Sequence, residues 1–493
     1  MRNVALFIIV VLITACSPSI SNTTESGVSQ GPFFGNGIHN GWADHNSISI
    51  WTRLTEKPEM NAKGTPFLTL TKQEANQYAE LTDVDLLHSK QIPKGLELKD
   101  MEGACLGAKG EVQLVYKIKD ESDSRKVLEW QKVDSTKNYT TQWKLKDLIP
   151  DTKYSIEVHS RKGPGDAIGD KLIGSFITPP SKEVQKSVAF GIVSCHDYIR
   201  KDTTDGHKIY GAMNNDDLDF FAHTGDIEYY DKPNPWAMTE PMMFFKWDRL
   251  FALPLQRTFY SNTTSYFMKD DHDVLRDDAY PGMTYGPVTW ERGLEIFDKE
   301  QFPSADIPYK TVRWGKDLQI WILEGRNFRS KNSDPDGQGK TILGKEQKEW
   351  MYRTLTASDA TFKVIISANP IVGPDRPKGK TDNYSNKAFE TEGTEIREFL
   401  NKYENVYVVN GDRHWQYVSN HEGTNLYEFG CGAGSDSHAE GWKQENVQPE
   451  HKFLRVKGGY LYSKVYNEGN KAKIRFEHRD VDGNVVHVEE FEG

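Results

Sequence analysis

Side chains that can bind metal ions follow four apolar runs of this sequence, directly where each run ends. They are a thiol, carboxylates, a phenol and imidazoles: Cys195, Asp226, Tyr229, Asp271, His272, Asp412 and His414. Taken singly, each has an ordinary structural explanation, since an Asp after a Gly is often a turn residue. Taken together, they predict one cluster, because strand ends in an α/β sheet lie along a common edge.

The donor types in this cluster predict two cations. Thiolate and phenolate together favour a hard trivalent ion such as Fe³⁺, whereas the thiolate alone would also suit Zn²⁺. Carboxylates at a neighbouring position suit Ca²⁺, Mg²⁺ or Mn²⁺. The short Gly225-Asp226 turn can hold a carboxylate that bridges both ions. Two adjacent cations polarise an ester and lower the pKa of bound water, so the cluster predicts metal-dependent ester hydrolysis.

Alternating strands and helices must position these residues, and this alternation begins after Lys186. Hydrophobic runs such as "SVAFGIVS" and "NVYVVNGDRH" alternate with helical patterns such as "KEQKEWMYRTL". The alternation predicts a layered α/β domain over residues 187–493. We expect four loops of this domain to bring the candidate ligands to one edge, and a fifth loop, after "LQIWIL", to bring Glu324, Arg326 and Arg329 to the same edge.

A different pattern covers residues 31–180, where short β-strand signals are separated by turn residues. Leu148, Pro150 and Tyr154 are typical of the corner of a fibronectin-like β-sandwich, where a Tyr hydroxyl contacts nearby backbone. We predict a sandwich with a helical insertion around Leu70–Gly107, and a linker at Phe176–Lys186. The fold class is therefore α+β, a β-sandwich followed by an α/β domain.

The N-terminal sequence is typical of an export signal. Arg2 precedes the apolar run Val4–Ile13, which is short for a permanent transmembrane helix, and Ile13-Thr14-Ala15-Cys16 fits a bacterial lipobox. We predict a signal peptide over residues 1–15 and a tether over 16–30 that begins with lipidated Cys16. The alternative is a plain secretory signal. We expect an exported protein, lipid-anchored to a bacterial membrane and facing the periplasm or the cell exterior.

Charge and cysteine count restrict the partners. The net charge of −11 argues against nucleic acid as the main partner, and we expect a monomer. If Cys16 is lipidated, three cysteines remain of the four, so at least one has no partner within the chain. A disulfide between Cys105 and Cys431 is one pairing, and it would leave Cys195 for metal.

In their order, the motifs Ser194-Cys195, Gly225–Tyr229, Asp270-Asp271-His272 and Gly411–His414 resemble those of PhoD-type alkaline phosphatases. These enzymes are calcineurin-like metallophosphoesterases related to purple acid phosphatases. The resemblance implies an N-terminal β-sandwich followed by a metallophosphoesterase domain. It also implies a metal-dependent hydrolase of phosphomonoesters or phosphodiesters.

The resemblance further implies residue roles. Fe³⁺ would be bound by Cys195, Asp226, Tyr229 and His414, and Asp226 would bridge to a Ca²⁺ held by Asp271 and Asp412. His272 would assist phosphate binding or protonate the leaving group. Asn369 follows a strand where related enzymes place another ligand.

Arg326 and Arg329 match a family element that ordinarily begins with Asp, where this chain has Glu324. The two arginines could bind phosphate oxygens, or instead pair with local carboxylates. His196 could line the substrate pocket, and the Gly/Ser segment Phe429–His438 could cap the site or be a turn.

Three functions remain open from the sequence. The first is hydrolysis of phosphate esters, with His272, Asp226 and Arg326 in catalysis. The second uses the same metal core on sulfated or phosphorylated glycans, with exposed Trp and Tyr as a carbohydrate platform. The third is a non-catalytic glycan-binding surface lipoprotein.

Overall fold

The computed structural model describes residues 31–303, 305–376 and 381–493. The signal peptide, Cys16 and the tether predicted for residues 1–30 lie outside the described residues. Among the described residues, no helix has the length and apolarity needed to cross a membrane.

The N-terminal region contains two antiparallel sheets and two short helices. Its elements are β1 (Ile38–Asp44), β2 (Ser47–Arg53), α1 (Lys72–Tyr78), α2 (Val84–Ser89), β3 (Glu111–Ile118), β4 (Lys126–Val127), β5 (Gln131–Lys132), β6 (Thr140–Leu145), β7 (Lys153–Arg161) and β8 (Lys171–Ile177). One sheet has the order β1-β2-β6, and the other has the order β4-β3-β7-β8, with β5 also paired to β3. Apolar residues of both sheets belong to one buried cluster.

Local sequence accounts for two predicted features of this region. The backbone N–H of Ile149 donates to the Tyr154 hydroxyl at 2.9 Å, which is the expected Tyr corner contact. Within the predicted insertion, α1 begins with a capping box in which Thr71 and Glu74 satisfy each other's backbone amides. The two sheets agree with a sandwich, and the fibronectin-like assignment remains a prediction.

Two mixed sheets form the second region. Its elements are β9 (Val188–Val193), α3 (Lys208–Met213), β10 (Phe220–His223), α4 (Glu240–Phe251), α5 (Pro254–Asn262), β11 (Thr264–Phe267), α6 (Asp271–Val274), β12 (Thr284–Tyr285), β13 (Val288–Thr289), α7 (Trp290–Glu295), β14 (Lys310–Trp314), β15 (Leu318–Ile322), α8 (Gly344–Thr356), β16 (Phe362–Ser367), α9 (Glu390–Leu400), β17 (Val406–Asn410), β18 (Gln416–Asn420), β19 (Tyr427–Cys431), β20 (His451–Arg455), β21 (Tyr460–Glu468), β22 (Lys471–Arg479) and β23 (Val485–Glu492). The sheet orders are β11-β10-β9-β21-β22-β23 and β14-β15-β16-β17-β19-β18-β20.

The two mixed sheets pack face to face between helices. Phe220 of one sheet stacks on Trp314 of the other, with ring centroids 4.5 Å apart. Residues of α8 and α9 pack with the outer face of the seven-stranded sheet, and residues of α3 to α7 join the core that includes the six-stranded sheet. This layered arrangement is the α/β architecture that the sequence predicts for residues 187–493.

The N-terminal region shares its cores with the second region. His39 stacks on Trp51 and contacts Phe251 edge-on, at centroid distances of 4.3 and 4.4 Å. Arg53 forms a buried ion pair of 2.9 Å with Asp248. Removing the N-terminal region would therefore expose apolar surface and leave Asp248 without its counter-charge.

The three cysteines among the described residues form no disulfide. Cys105, Cys195 and Cys431 are free and buried. The pairing of Cys105 with Cys431 that the sequence left open is therefore not formed, and Cys195 remains a free thiol at the end of β9.

Candidate metal centre

Parallel strands bring the predicted ligands to one edge of the layered region. β9, β10 and β11 run parallel, and so do β15, β16, β17 and β19 in the other sheet. Cys195 follows β9, Asp226 follows β10, and Asp412 follows β17. Their carboxyl ends therefore supply the loops from which the candidate centre is built.

One part of the centre, the thiol–phenol half, consists of Cys195, Asp226, Tyr229 and His414. Asp226 Oδ2 lies 3.6 Å from the Cys195 Sγ and 3.1 Å from the Tyr229 hydroxyl. The same hydroxyl lies 3.1 Å from His414 Nε2. The structure thus brings together all four side chains that the resemblance assigns to the trivalent ion.

The other part, the carboxylate half, contains Asp270, Asp271, His272 and Asp412 around the same Asp226. Ligand atoms of Asp226, Asp270 and Asp412 lie within 4.8 Å of one another, as do those of Asp226, Asp271 and His272. The sequence assigned Asp271 and Asp412 to this site and missed Asp270, although Asp270 stands directly before Asp271 in the same motif. Asn369 donates to both Asp270 and Asp412, at 3.2 and 3.3 Å.

The Asp226 side chain fits a bridging role. Its Oδ2 faces the thiol–phenol half, while its Oδ1 is buried and accepts no hydrogen bond from the described residues. Burial and the neighbouring carboxylates Asp271 and Asp270 raise the pKa of Asp226 well above its usual value. A buried carboxylate with an unused oxygen and like charges around it is stabilised by cations, so the donor set fits a two-metal site.

Backbone geometry fixes three of these ligands. Cys195, Asp226 and Asp412 have φ values of 48°, 54° and 59°, in the left-handed region that non-glycine residues seldom adopt. A Cβ at Gly411 would lie 2.1 Å from the Ser194 Oγ, so that position requires glycine. Strained ligand positions of this kind are typical of functional sites.

Asp273 holds the Asp226 loop in place. Its carboxylate accepts four backbone N–H groups, from Asp226 at 2.6 Å, Ile227 at 2.8 Å, Glu228 at 3.1 Å and Asp270 at 2.9 Å. The "DDHD" motif therefore supplies ligands and, at its last position, the residue that positions the bridging ligand.

Arg326 and Arg329 lie behind the centre. Both are buried, at 1% and 3% exposure. Arg326 pairs with Asp270 and lies 3.7 Å from Asp271, and Arg329 bonds to Asn332 and to the backbone carbonyl of Asp382. The sequence left two roles open for these arginines, phosphate binding and pairing with local groups. The geometry agrees with pairing. Glu324 pairs with Lys269 at 2.8 Å and accepts the Arg326 backbone amide.

The two histidines predicted to bind substrate lie in different environments. His272 lines the cleft, and its Nδ1 lies 2.6 Å from Asp231 Oδ1. Burial alone would lower the pKa of His272, but Asp231, Asp271 and Asp226 outweigh it and raise that pKa to about 10. His196 is fully buried, and its Nε2 bonds to the Tyr210 hydroxyl at 2.5 Å.

The Gly/Ser segment Phe429–His438 supports the thiol–phenol half from behind. The Gly434 N–H donates to the Cys195 carbonyl at 3.0 Å. His438 is buried, with its ring centroid 4.3 Å from that of His414 and 5.1 Å from that of Tyr229. The segment is therefore an ordered support and more than a flexible turn.

A cleft of about 890 Å³ opens in front of the centre. Metal-binding candidates at its floor are Asp226, Tyr229, His272, Asp412 and His414. Basic side chains around it are Lys72, Lys232, Arg276 and Arg376. Sequence reasoning missed Lys72 and Arg376 because they come from an insertion and from a loop that carries no recognisable motif. Lys232 and Arg276 follow the Tyr229 and His272 motifs, whose pattern does not show which way these side chains face.

Comparisons with known proteins point to one family. A model of the PhoD-like phosphatase family matches residues 257–483. Alkaline phosphatase D of Bacillus subtilis is 22% identical over an alignment that covers 58% of this chain and 58% of that protein. The resemblance to PhoD-type phosphatases is confirmed. The PhoD-like match includes Asp270, His272, Asp412 and His414, whereas Cys195, Asp226 and Tyr229 precede it.

Solved structures show the same fold. The structure of PhoD matches with a TM-score of 0.66 at 15% identity, covering 95% of this chain and 91% of that chain. A purple acid phosphatase from yellow lupin, Lupinus luteus, matches with a TM-score of 0.59 at 12% identity, covering 92% and 73%. The fold of this chain is thus like that of PhoD and of the lupin purple acid phosphatase.

Proposed function

We propose that this protein hydrolyses phosphate esters with two bound metal ions. The observation that carries the proposal is the convergence of both halves of the centre on Asp226 at the floor of an open cleft. The family model and the curated relative support the substrate class. Two cations at these positions would polarise the phosphate and lower the pKa of water.

The metal identities follow from the donor types. Cys195 and Tyr229, as thiolate and phenolate, suit Fe³⁺ together with Asp226 and His414. The carboxylates Asp270, Asp271 and Asp412 suit Ca²⁺, with Mg²⁺ or Mn²⁺ as substitutes. Zn²⁺ remains the alternative at the thiolate.

The chain's own residues would position the ester and supply a proton. The Asp231 carboxylate orients the His272 ring through Nδ1, which leaves Nε2 as the atom able to donate a proton to the leaving oxygen. Arg326 binds Asp270 from behind and keeps it in place, so we assign it a positioning role. The cleft also carries the acidic Asp231, Asp277 and Glu440, so the bound cations together with the basic side chains would attract the anionic substrate.

A sulfate ester or a glycan substrate has no comparable support. None of the twelve Trp residues is exposed, since each is buried or half-buried. A carbohydrate platform on the outer surface therefore has no exposed Trp to build on, and Trp236 and Trp415 contribute only to the lining of the cleft. Export and lipid attachment at Cys16 remain proposals that rest on the N-terminal sequence alone.

The first test is metal content and visible absorption of the protein truncated before Cys16. We expect about one iron per chain and a charge-transfer band that disappears in Tyr229→Phe. Tyr230→Phe is the matched control, because Tyr230 is also buried but bonds to Trp247. Parallel assays with p-nitrophenyl phosphate, bis(p-nitrophenyl) phosphate and p-nitrophenyl sulfate then test the substrate class. Turnover of the sulfate alone, or of none, would contradict the proposal.

A further inference from the structure

One wall of the cleft is apolar, and the chemistry proposed at the metal centre does not use it. The wall consists of Leu70, Trp236, Met283 and Tyr285, all of which line the cleft. Leu70, Trp236 and Tyr285 belong to one buried cluster, and Met283 packs against that cluster. The wall is therefore backed by the core, which holds it in a fixed shape.

Three separate segments build this apolar wall. Leu70 precedes α1 in the N-terminal insertion, Trp236 follows the Tyr229 loop, and Met283 and Tyr285 follow the His272 loop. Gln91 of the same insertion fixes the Trp236 segment, since its side chain accepts the Trp236 N–H at 2.7 Å and donates to the Trp236 carbonyl at 2.9 Å. The apolar wall is thus supplied by the insertion and by the segments that follow two of the ligand motifs.

The cleft is too large for a phosphate group alone. Its volume of about 890 Å³ lies in the range of roughly 300–1,000 Å³ of pockets that bury a drug-sized organic molecule. With the phosphate at the metal centre, the rest of the cleft is lined by these four apolar residues together with polar ones such as Lys72 and Asn76. An alkyl or aromatic group seated against these four side chains would be removed from water, whereas a polyol could form hydrogen bonds only with the polar lining residues, such as Lys72, Asn76 and Asp277.

We propose that the substrate is a phosphate ester whose organic group is apolar, and that Leu70, Trp236, Met283 and Tyr285 form its subsite. This inference rests on the proposed function and adds the chemical class of the ester. The basic residues around the cleft would serve the phosphate, and the apolar wall would select its substituent.

The test uses n-alkylphosphonates, which cannot be hydrolysed as esters. The series from methyl- to hexylphosphonate is titrated into the metal-loaded protein by calorimetry. The same compounds are measured as inhibitors of both p-nitrophenyl phosphate esters. We expect the dissociation constant to fall by up to about fourfold for each added methylene over the first members, since each buried methylene contributes about 0.8 kcal/mol.

A polar compound of equal size sharpens the test. Pentylphosphonate and 2,3-dihydroxypropylphosphonate have substituents with the same number of non-hydrogen atoms. We expect the pentyl compound to bind at least about tenfold more tightly, because hydroxyl groups gain little against apolar side chains. Equal affinity would overturn the inference.

Variants test whether the apolar wall causes the dependence of the dissociation constant on alkyl chain length. Leu70→Asn and Met283→Asn should each reduce the dependence on chain length, whereas Met283→Leu should retain it. Leu68→Asn is the matched control, because Leu68 lies two residues before Leu70, is 46% exposed and does not line the cleft. A wild-type affinity that is independent of chain length would overturn the inference even if phosphate esters are hydrolysed. Absence of turnover would contradict the proposed function, and calorimetry would still report on the wall.

Discussion

The thiol–phenol half and the carboxylate half of the centre balance their charges in different ways. Cys195 and Tyr229 are neutral until they lose protons, and burial, with the nearby Asp226 carboxylate, raises the pKa of both well above their usual values. In the carboxylate half, Asp270 pairs with Arg326, and Asp412 lies 2.8 Å from the Arg413 guanidinium. Among the described residues, the second half thus has arginines paired directly with its carboxylates.

This difference indicates how each half depends on its metal. The thiol–phenol half becomes anionic only when a highly charged cation replaces its protons. The carboxylate half is partly neutralised by arginines, so a divalent ion adds less stabilisation there. We therefore expect the trivalent ion to be held tightly and the divalent ion to exchange more readily.

Replacing the residue that the halves share should have the largest effect. Asp226→Asn keeps the shape of the side chain but removes its charge, and we expect both metals to be lost. Turnover should fall by more than the roughly 10- to 100-fold usual for outer-shell partners. Metal analysis and steady-state kinetics measure this, with Asp166→Asn on an exposed loop as control. Unchanged turnover would refute the two-metal assignment.

A change in the thiol alone should separate the two halves. Cys195→Ser is expected to reduce iron content and visible absorption strongly while calcium content persists. Cys105→Ser is the matched control, because Cys105 is also a free, buried thiol and lies beside Asn36, in the N-terminal region. Equal loss of both metals in Cys195→Ser would show that the halves bind cooperatively, against our comparison.

Asp273→Asn tests the support that both halves receive through the Asp226 loop. An amide at this position turns one acceptor into a donor that faces backbone N–H groups. We expect roughly a 10- to 100-fold loss in metal affinity, the range typical of residues that orient ligands. Chelator competition measures it for each metal. Loss confined to one metal would show that Asp273 supports only one half of the centre.

Asp231→Asn should give the smallest effect, a shift in pH dependence. The Asp231 carboxylate helps to raise the pKa of His272, so His272 keeps its proton to a higher pH and loses it as the pH rises through that raised pKa. Without the Asp231 charge its pKa falls, so the alkaline limb of the rate profile should move to lower pH. Asp277→Asn should shift it less, because Asp277 is exposed and 3.8 Å from the ring. An unchanged limb would exclude His272 as the proton donor.

The sequence allowed the strand ends and the thiol–phenol half to be predicted. Cys195, Asp226, Tyr229 and His414 follow long apolar runs whose positions in a layered sheet are well specified. The carboxylate half was harder, because Asp270 and Asp271 are adjacent and a pattern does not show which of them faces Asp412. That choice depends on α6, which begins at Asp271 and leaves Asp270 as its N-cap.

Side chains whose direction depends on tertiary partners could not be predicted. Arg326 faces inward because Asp270 is there to pair with it, and His196 faces Tyr210 and His223 within the core. The cleft residues Lys72 and Arg376 come from segments about three hundred residues apart in the chain. Their meeting is a result of packing between regions, for which local sequence gives no signal.

The shared cores also bear on how this chain is made. One buried cluster joins Trp51 to Val481, and another joins Phe34 to Phe476. During synthesis from the N-terminus, neither cluster can close until β21 and β22 have left the ribosome. Most of the polypeptide therefore cannot bury its core residues until synthesis is nearly complete. A chain truncated before β21 would expose aromatic side chains of both clusters and would tend to self-associate.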